Sequence, residues 1–190
     1  EPALLEARPR VGGRVESAVV GDGVFDLGAQ WMGPGQHRLA ALAREHRLET
    51  FPTWSRGRKV LVLDGRRTTY KRSIPSLSLP KLAEMQLALT RLDLAVRKVS
   101  ADRPWRAPDA AAKDGMTVET WRRSLVRSRH VGDLFDVAIR TVFGAEPSEI
   151  SLLWFLSYLK AGGGLLKLIE IEGGAQQWRF AQGAGSVADA

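Results

Sequence analysis

The apolar positions of this chain change their period part-way along it. Up to Tyr70 they come in short runs broken by glycine; beyond Lys71 they recur at steps of three and four. Short runs bounded by turn residues mark strands, and the longer period marks one face of a helix. In the first stretch, residues 14–20 and 24–27 flank Gly21-Asp22-Gly23, and residues 59–63 and 67–70 flank Asp64-Gly65. Both patterns predict β-hairpins. Between them, residues 36–47 predict a helix with Leu39, Leu42 and Ala43 on one face. In the second stretch, Leu82, Met85, Leu89, Leu92, Val96 and Val99 trace a long helix, with Pro80 suited to its first turn. Residues 101–113, rich in Pro and Ala, predict a loop. Thr117 is placed to cap a short helix through Trp121 and Leu125. Val131, Leu134, Phe135, Ala138, Ile139 and Val142 predict a helix ended by Gly144. Ser148 is placed to cap the next, through Leu152, Leu153, Leu156 and Leu159 to Gly162-Gly163-Gly164. Residues 186–190 read as the start of one more. A strand-rich segment thus precedes a helical one, with the boundary near 71–80.

Composition narrows the classes. A chain of 190 residues makes one large or two small domains, and 44% apolar content is ordinary for a globular protein. No secretory signal and no apolar run long enough to span a bilayer is present, so no membrane segment is expected in this chain. The absence of cysteine excludes disulfides, thiolate metal sites and a Cys nucleophile from these residues. It fits a reducing compartment, and a cytoplasmic location is expected. His37, His46 and His130 are scattered without metal-ligand spacing. The net charge of +7 is dispersed, with clumps at Arg56-Gly57-Arg58-Lys59, Arg66-Arg67 and Arg122-Arg123. No aromatic-interleaved basic stripe accompanies them, so nucleic acid is not an expected partner.

Three segments carry candidate chemistry. In the first, Ala3-Leu4-Leu5 reads as a buried strand ending in Glu6, and Ala7-Arg8-Pro9-Arg10-Val11-Gly12-Gly13-Arg14 follows. A carboxylate at a strand tip suits the two hydroxyls of an adenosine ribose. Paired glycines let backbone pass close to a phosphate, and Arg14 offers it a planar fork of donors. The Gly-rich turn of such a site lies about 20 residues before the acid, which here falls before Glu1. The chain therefore reads as an internal piece of a larger protein. The second segment is Asp26-Leu27-Gly28-Ala29-Gln30-Trp31-Met32-Gly33-Pro34, where small residues let backbone lie against a flat ligand and Trp31 can wall a pocket. The third is Gly173-Gly174-Ala175-Gln176-Gln177-Trp178-Arg179-Phe180, a turn feeding a strand through Gln176, whose neutral amide can orient a polar substrate. The preceding run 165–171 reads as pocket wall or as core. Each segment also has a plain reading: a solvated strand end, a strand-to-helix loop with a buried Trp, and a hairpin turn with a surface Gln.

Together, in this order, the segments resemble the flavin-containing monoamine oxidase family. Its acid followed by Ala-Arg and then Val-Gly-Gly-Arg is matched by Glu6-Ala7-Arg8 and Val11-Gly12-Gly13-Arg14. Its Asp-Leu-Gly segment with a following aromatic and Gly-Pro is matched by 26–34, and its Glu-Gly-Gly-Ala-Gln segment ending in Arg-Phe by 172–180. Phe143-Gly144-Ala145-Glu146-Pro147-Ser148-Glu149-Ile150-Ser151 looks like a helix junction of the family's substrate domain. The first motif is shared with many related flavoproteins; the third is more selective for amine oxidases. After Phe180, Gln182-Gly183-Ala184-Gly185-Ser186 matches the family's Gly-Gly-Ser turn only approximately.

The resemblance implies an α/β (α+β) fold: a partial, Rossmann-like FAD-binding domain with hairpins over 1–72, a mostly helical substrate-binding segment over 73–172, and a return toward the FAD-binding domain over 173–190. It implies FAD as cofactor, with Glu6 on the ribose, Ala7 and Arg8 beside the adenosine, and Gly13 and Arg14 at the pyrophosphate. Gly28, Ala29, Gln30 and Trp31 would line the flavin end. Trp31, Ile169, Ile171 and Gln176 are the implied substrate contacts, with Leu168 a further cavity candidate. The implied reaction is oxidative deamination of a primary or secondary amine to an aldehyde, with O₂ reduced to H₂O₂. The implied partners are thus a small-molecule amine and O₂. No catalytic residue and no metal ligand is nominated in this chain. The family's upstream Gly-rich turn and its later half, which carries a lysine-held water and aromatics flanking the amine, are not matched, so the isolated chain is expected to be inactive. Two alternatives stay open: another FAD oxidoreductase of the superfamily, such as an amino-acid or polyamine oxidase, and a non-catalytic binding or scaffold segment.

Overall fold

A computed structural model describes residues 3, 5–71, 73–75 and 77–190. It mixes helix with small antiparallel sheets and divides by packing into two units. The first takes both ends of the chain, Glu1–Ser55 and Glu170–Ala190; the second is Arg56–Ile169.

In the first unit, β1 (Ser17–Val20) and β2 (Gly23–Asp26) form the expected hairpin, with Val20 paired to Gly23 across Gly21-Asp22. Helix α1 (His37–Glu45) follows. Strand β3 (Thr50–Pro52) pairs with β6 (Trp178–Phe180), Thr50 opposite Phe180. Helix α8 (Ser186–Asp189) closes the unit. Its apolar core is small: Met32, Ala43, Phe180 and Ala184, with Leu39, Leu48 and Trp178 packed against them. The described residues of the strand expected to end at Glu6, Ala3 and Leu5, are not in a strand. Leu5 is 94% exposed, and no described strand pairs with this stretch. Leu4 lies outside the described residues.

The second unit begins with the hairpin β4 (Lys59–Leu63) and β5 (Arg66–Tyr70), turned at Asp64-Gly65 as the sequence predicts. Helix α2 (Leu79–Arg97) buries Met85, Ala88, Leu89, Leu92 and Val96, the predicted face, with proline in its first turn. The predicted loop 101–113 is partly helical: a 3₁₀ turn at Pro104–Arg106 and α3 (Ala110–Asp114). Helix α4 (Val118–Leu125) is capped by Thr117, whose hydroxyl accepts from the Thr120 amide. Helix α5 (Arg129–Phe143) stops at Gly144, φ 62°. Helix α6 (Leu152–Gly162) is capped by Ser151, not by the expected Ser148. Ser151 accepts from the Trp154 amide, whereas residues 146–149 form a separate turn closed by the Glu149 carboxylate on the Glu146 amide. Helix α7 (Leu165–Ile169) ends the unit. Phe155, Leu156, Leu159, Leu92 and Ile139 are fully buried and hold the helices together; burying each such side chain contributes about 1.5–3 kcal/mol. Among the described residues no helix is long and apolar enough to cross a membrane.

One ion pair sits deep between α4 and α5. Arg122 Nε lies 2.9 Å from Asp136 Oδ1, and both side chains are largely buried. Gly132 makes room for the guanidinium, since a β-carbon there would stand 2.6 Å from Arg122 Nη1. Burial raises the Asp136 carboxyl above its ordinary value, and Arg122 and then Arg140 offset this only in part. The folded chain therefore keeps a proton that the unfolded chain has released. Stability from this group is present at low pH and is lost as pH rises from the ordinary value of 3.8 through the raised one. In Asp136→Asn, urea unfolding across that window is expected to depend less steeply on pH. A slope equal to that of the unmutated protein would remove Asp136 as its source.

Candidate functional site

The glycine-arginine segment folds as a tight turn. Gly12 and Gly13 have φ of 89° and 53°, and the Val15 amide donates to the Gly12 carbonyl at 2.8 Å. Positive φ at successive residues is cheap only for glycine. Arg10 pins this turn: its Nη2 donates to the Gly13 carbonyl at 3.0 Å and pairs with Glu16 Oε2 at 2.6 Å. The turn then lies against the second segment. The Ala29 amide donates to the Arg14 carbonyl at 3.3 Å, and the Leu27 amide to the Glu16 carbonyl at 2.8 Å. A β-carbon at 28 would overlap the Arg14 carbonyl oxygen, so only glycine permits this approach.

Between these segments is an open cavity of about 650 Å³, lined by Arg8, Arg10, Gly13, Arg14, Val15, Glu16, Leu27, Gly28 and Ala29. The Glu16 carboxylate is taken by Arg10. Arg8 and Arg14 have no ion-pair partner among the described residues, so their charge is available to a ligand. Two free guanidinium forks over a glycine wall suit a phosphate or pyrophosphate anion.

The third segment packs on the second. Met32 and Trp178 exchange backbone hydrogen bonds at 2.8 and 2.9 Å. A β-carbon at Gly33 would stand 2.8 Å from the Ala175 α-carbon. The Gly33 amide is held by the Gln36 side chain at 2.8 Å. Beneath this junction Asp26 is a buried anchor, its side chain 1% exposed. Its carboxylate accepts from the Ser17 hydroxyl at 2.7 Å, from the Ala184 amide at 2.7 Å and from Arg179 Nη2 at 3.2 Å. The Ser17 oxygen in turn accepts from the Gly185 amide at 2.9 Å. The hairpin, β6 and the turn after Phe180 are thus tied to one carboxylate.

The second unit holds a different cavity of about 290 Å³. Its walls are mostly apolar: Val60, Leu61 and Tyr70 from the hairpin, Met85 and Leu89 from α2, Leu134 and Ala138 from α5, and Leu165, Leu166 and Ile169 from α7. It can take an uncharged hydrocarbon body.

The family model for flavin containing amine oxidoreductases matches residues 1–190. The chain belongs to this family. It is similar to the probable flavin-containing monoamine oxidase A of Dictyostelium discoideum, at 31% identity over 98% of the chain and 41% of the relative. It is 32% identical to the human flavin-containing amine oxidase B over 98% of the chain and 36% of that protein. Among solved structures, cyclohexylamine oxidase from Brevibacterium oxydans superposes with a TM-score of 0.88 at 31% identity, covering 96% of this chain and 41% of that one. A putrescine oxidase bound to putrescine gives 0.85 at 25% identity, with the same coverage. The chain therefore spans about two fifths of the length of these amine oxidases.

Of the cofactor residues expected from the sequence, the chain gathers Arg8, Gly13, Arg14, Gly28 and Ala29 around the first cavity. Glu6 and Ala7 are exposed and outside its lining; the Glu6 carboxylate accepts from the Arg8 amide at 2.9 Å. Gln30 is half-buried and Trp31 exposed, on the stretch leading to Met32. Gln176 and Ile171 are half-buried beside that junction, the Gln176 amide donating to the Glu170 carbonyl at 3.2 Å. Ile169 lines the apolar cavity of the other unit, while Leu168 packs on Gly162. The run 165–171 is thus partly pocket wall and partly core. Sequence reasoning missed Arg10 as the brace of the glycine turn and Asp26 as a buried hub. The Asp26-Leu27-Gly28 motif signalled the second, but its partners at 17, 179 and 184 are distant in sequence.

Proposed function

We propose that this chain supplies one end of an FAD site and part of the amine cavity in a flavin-dependent amine oxidase. The observation that carries the reading is the glycine-walled cavity with the unpaired guanidinium groups of Arg8 and Arg14. In this reading Arg14 and the Gly13 backbone hold the pyrophosphate, Glu6 takes the ribose hydroxyls, and Ala7 and Arg8 lie beside the adenosine. Gly28, Ala29, Gln30 and Trp31 lie along the flavin end. Trp31, Ile169, Ile171 and Gln176 are the substrate-binding residues in this reading. When bound, FAD would accept a hydride equivalent from the carbon beside the amine and pass the two electrons on to O₂, giving H₂O₂, while the imine product would hydrolyse to an aldehyde and ammonia or a smaller amine. The chain's own residues bind and orient; none of its carboxylates is assigned a proton-transfer role.

The apolar lining of the second cavity favours monoamines with a hydrocarbon body over amino acids and polyamines, whose extra charges would be desolvated there. In the full-length protein, amine-dependent H₂O₂ release should be greater with such monoamines. Preferential turnover of polyamines or amino acids would select the rival oxidase reading instead. Arg14→Ala should weaken FAD binding by about 1.5–3 kcal/mol, the worth of a charge-assisted hydrogen bond, and Arg14→Lys by less. Titration of the flavin-free protein checks this; unchanged affinity removes Arg14 from the phosphate.

A further inference from the structure

The β4–β5 hairpin is a thin wall. Its strands pair with each other and with no further strand among the described residues, and Val60 and Val62 are at least half exposed. An isolated two-stranded hairpin is marginally stable. Yet Leu61 and Tyr70 form one side of the apolar cavity, facing Met85 and Leu89 of α2 and Leu134 of α5. At the hairpin tip Asp64, in the left-handed conformation at φ 49°, reaches His130 at the start of α5: Oδ2 lies 2.8 Å from Nε2. The other ring nitrogen, Nδ1, lies 3.0 Å from Lys81 Nζ in the first turn of α2. An ammonium only donates, so Nδ1 accepts and the ring proton sits on Nε2, directed at Asp64. The imidazole therefore links the hairpin, α2 and α5, three of the four elements that frame the cavity, α7 being the fourth. The two helices have a separate tie, since Glu84 Oε1 accepts from the Arg127 and Ser128 amides. Removing the imidazole should loosen the hairpin tip while leaving α2 and α5 together.

We propose that His130 is a specificity-determining positioning residue: the Asp64–His130–Lys81 clasp holds the hairpin over the apolar cavity and so limits the length of hydrocarbon the cavity accepts. The substrate part rests on the amine oxidase reading above. The test uses full-length, FAD-loaded protein carrying His130→Ala or His130→Gln. The glutamine carbonyl can accept from Lys81 and its amide can donate to Asp64. In His130→Ala, amide exchange over residues 59–70 should quicken by about three- to tenfold, the equivalent of losing one or two modest hydrogen bonds. The ratio of KM for n-octylamine to KM for n-propylamine should shift by a similar factor, with kcat for n-propylamine and the flavin spectrum unchanged. His130→Gln should restore both readouts. Unchanged exchange in His130→Ala overturns the clasp. Faster exchange with an unchanged KM ratio overturns its role in selectivity. An unmutated protein that oxidises no amine overturns the oxidase reading and the substrate role with it, and hairpin exchange alone then decides the clasp.

Discussion

Replacing Asp26 with alanine is expected to lower the unfolding free energy by about 3 kcal/mol, the range for breaking a buried pair by removing one partner. The carboxylate is nearly inaccessible and accepts from a hydroxyl, a backbone amide and a guanidinium. Without it Arg179 keeps its charge, and its Nε is already buried without a hydrogen bond. The apolar core of the same unit is small, so little else offsets the loss. Asp26→Asn retains an acceptor for Ser17 and Ala184 but not the charge, and should cost about 2 kcal/mol after allowing for the partial exposure of Arg179. Combining Asp26→Asn with Arg179→Gln should cost less than the sum of the single changes, because each removes the other's partner. Urea unfolding of the four proteins measures this. A loss below about 1 kcal/mol in Asp26→Ala would show that the hub is ornamental.

The second large effect is expected at Gly28. A methyl group there runs into the Arg14 carbonyl oxygen, which is backbone and has no rotamer to change. Relief requires the segments to part, with loss of the Ala29–Arg14 and Leu27–Glu16 hydrogen bonds. Such overpacking costs about 1–3 kcal/mol, and here it also displaces two walls of one cavity. In full-length protein Gly28→Ala should raise the Kd for FAD by about 30-fold, or roughly 2 kcal/mol. Gly13→Ala is the contrasting control. A β-carbon at 13 meets nothing within 4 Å, and the penalty is only the positive φ, worth about 1–2 kcal/mol. Flavin content of the purified variants reads both. Normal loading of Gly28→Ala would separate this contact from the cofactor site.

Much of the local structure was legible because its causes are local. Gly21-Asp22 and Asp64-Gly65 announce their turns, Thr117 and Gly144 bound their helices, and the face of α2 follows directly from its apolar period. Ser148 and Ser151 both qualify as caps by residue type; the structure chooses Ser151, which also donates to Asp114. Strand β3 was invisible because three residues ending in proline become a strand only by pairing with β6. Of the run expected as a strand before Glu6, the described residues Ala3 and Leu5 pair with no strand among the described residues. At the candidate site the glycines and Arg14 could be read from spacing. Arg10, Ser17 and Arg179 could not, since their roles arise from contacts that only the folded chain creates.

The first unit is discontinuous: β3 waits for β6, and Asp26 waits for Arg179 and Ala184. On a ribosome adding about 5–20 residues per second, the segment ending at Ser55 emerges on the order of ten seconds before its partners. During that interval the inserted Arg56–Ile169 unit, whose core is drawn from its own residues, can already condense. Birth order therefore favours the inserted unit first, and a nascent chain stalled before Trp178 would carry its arginine-glycine turn without the strand and anchor that complete it.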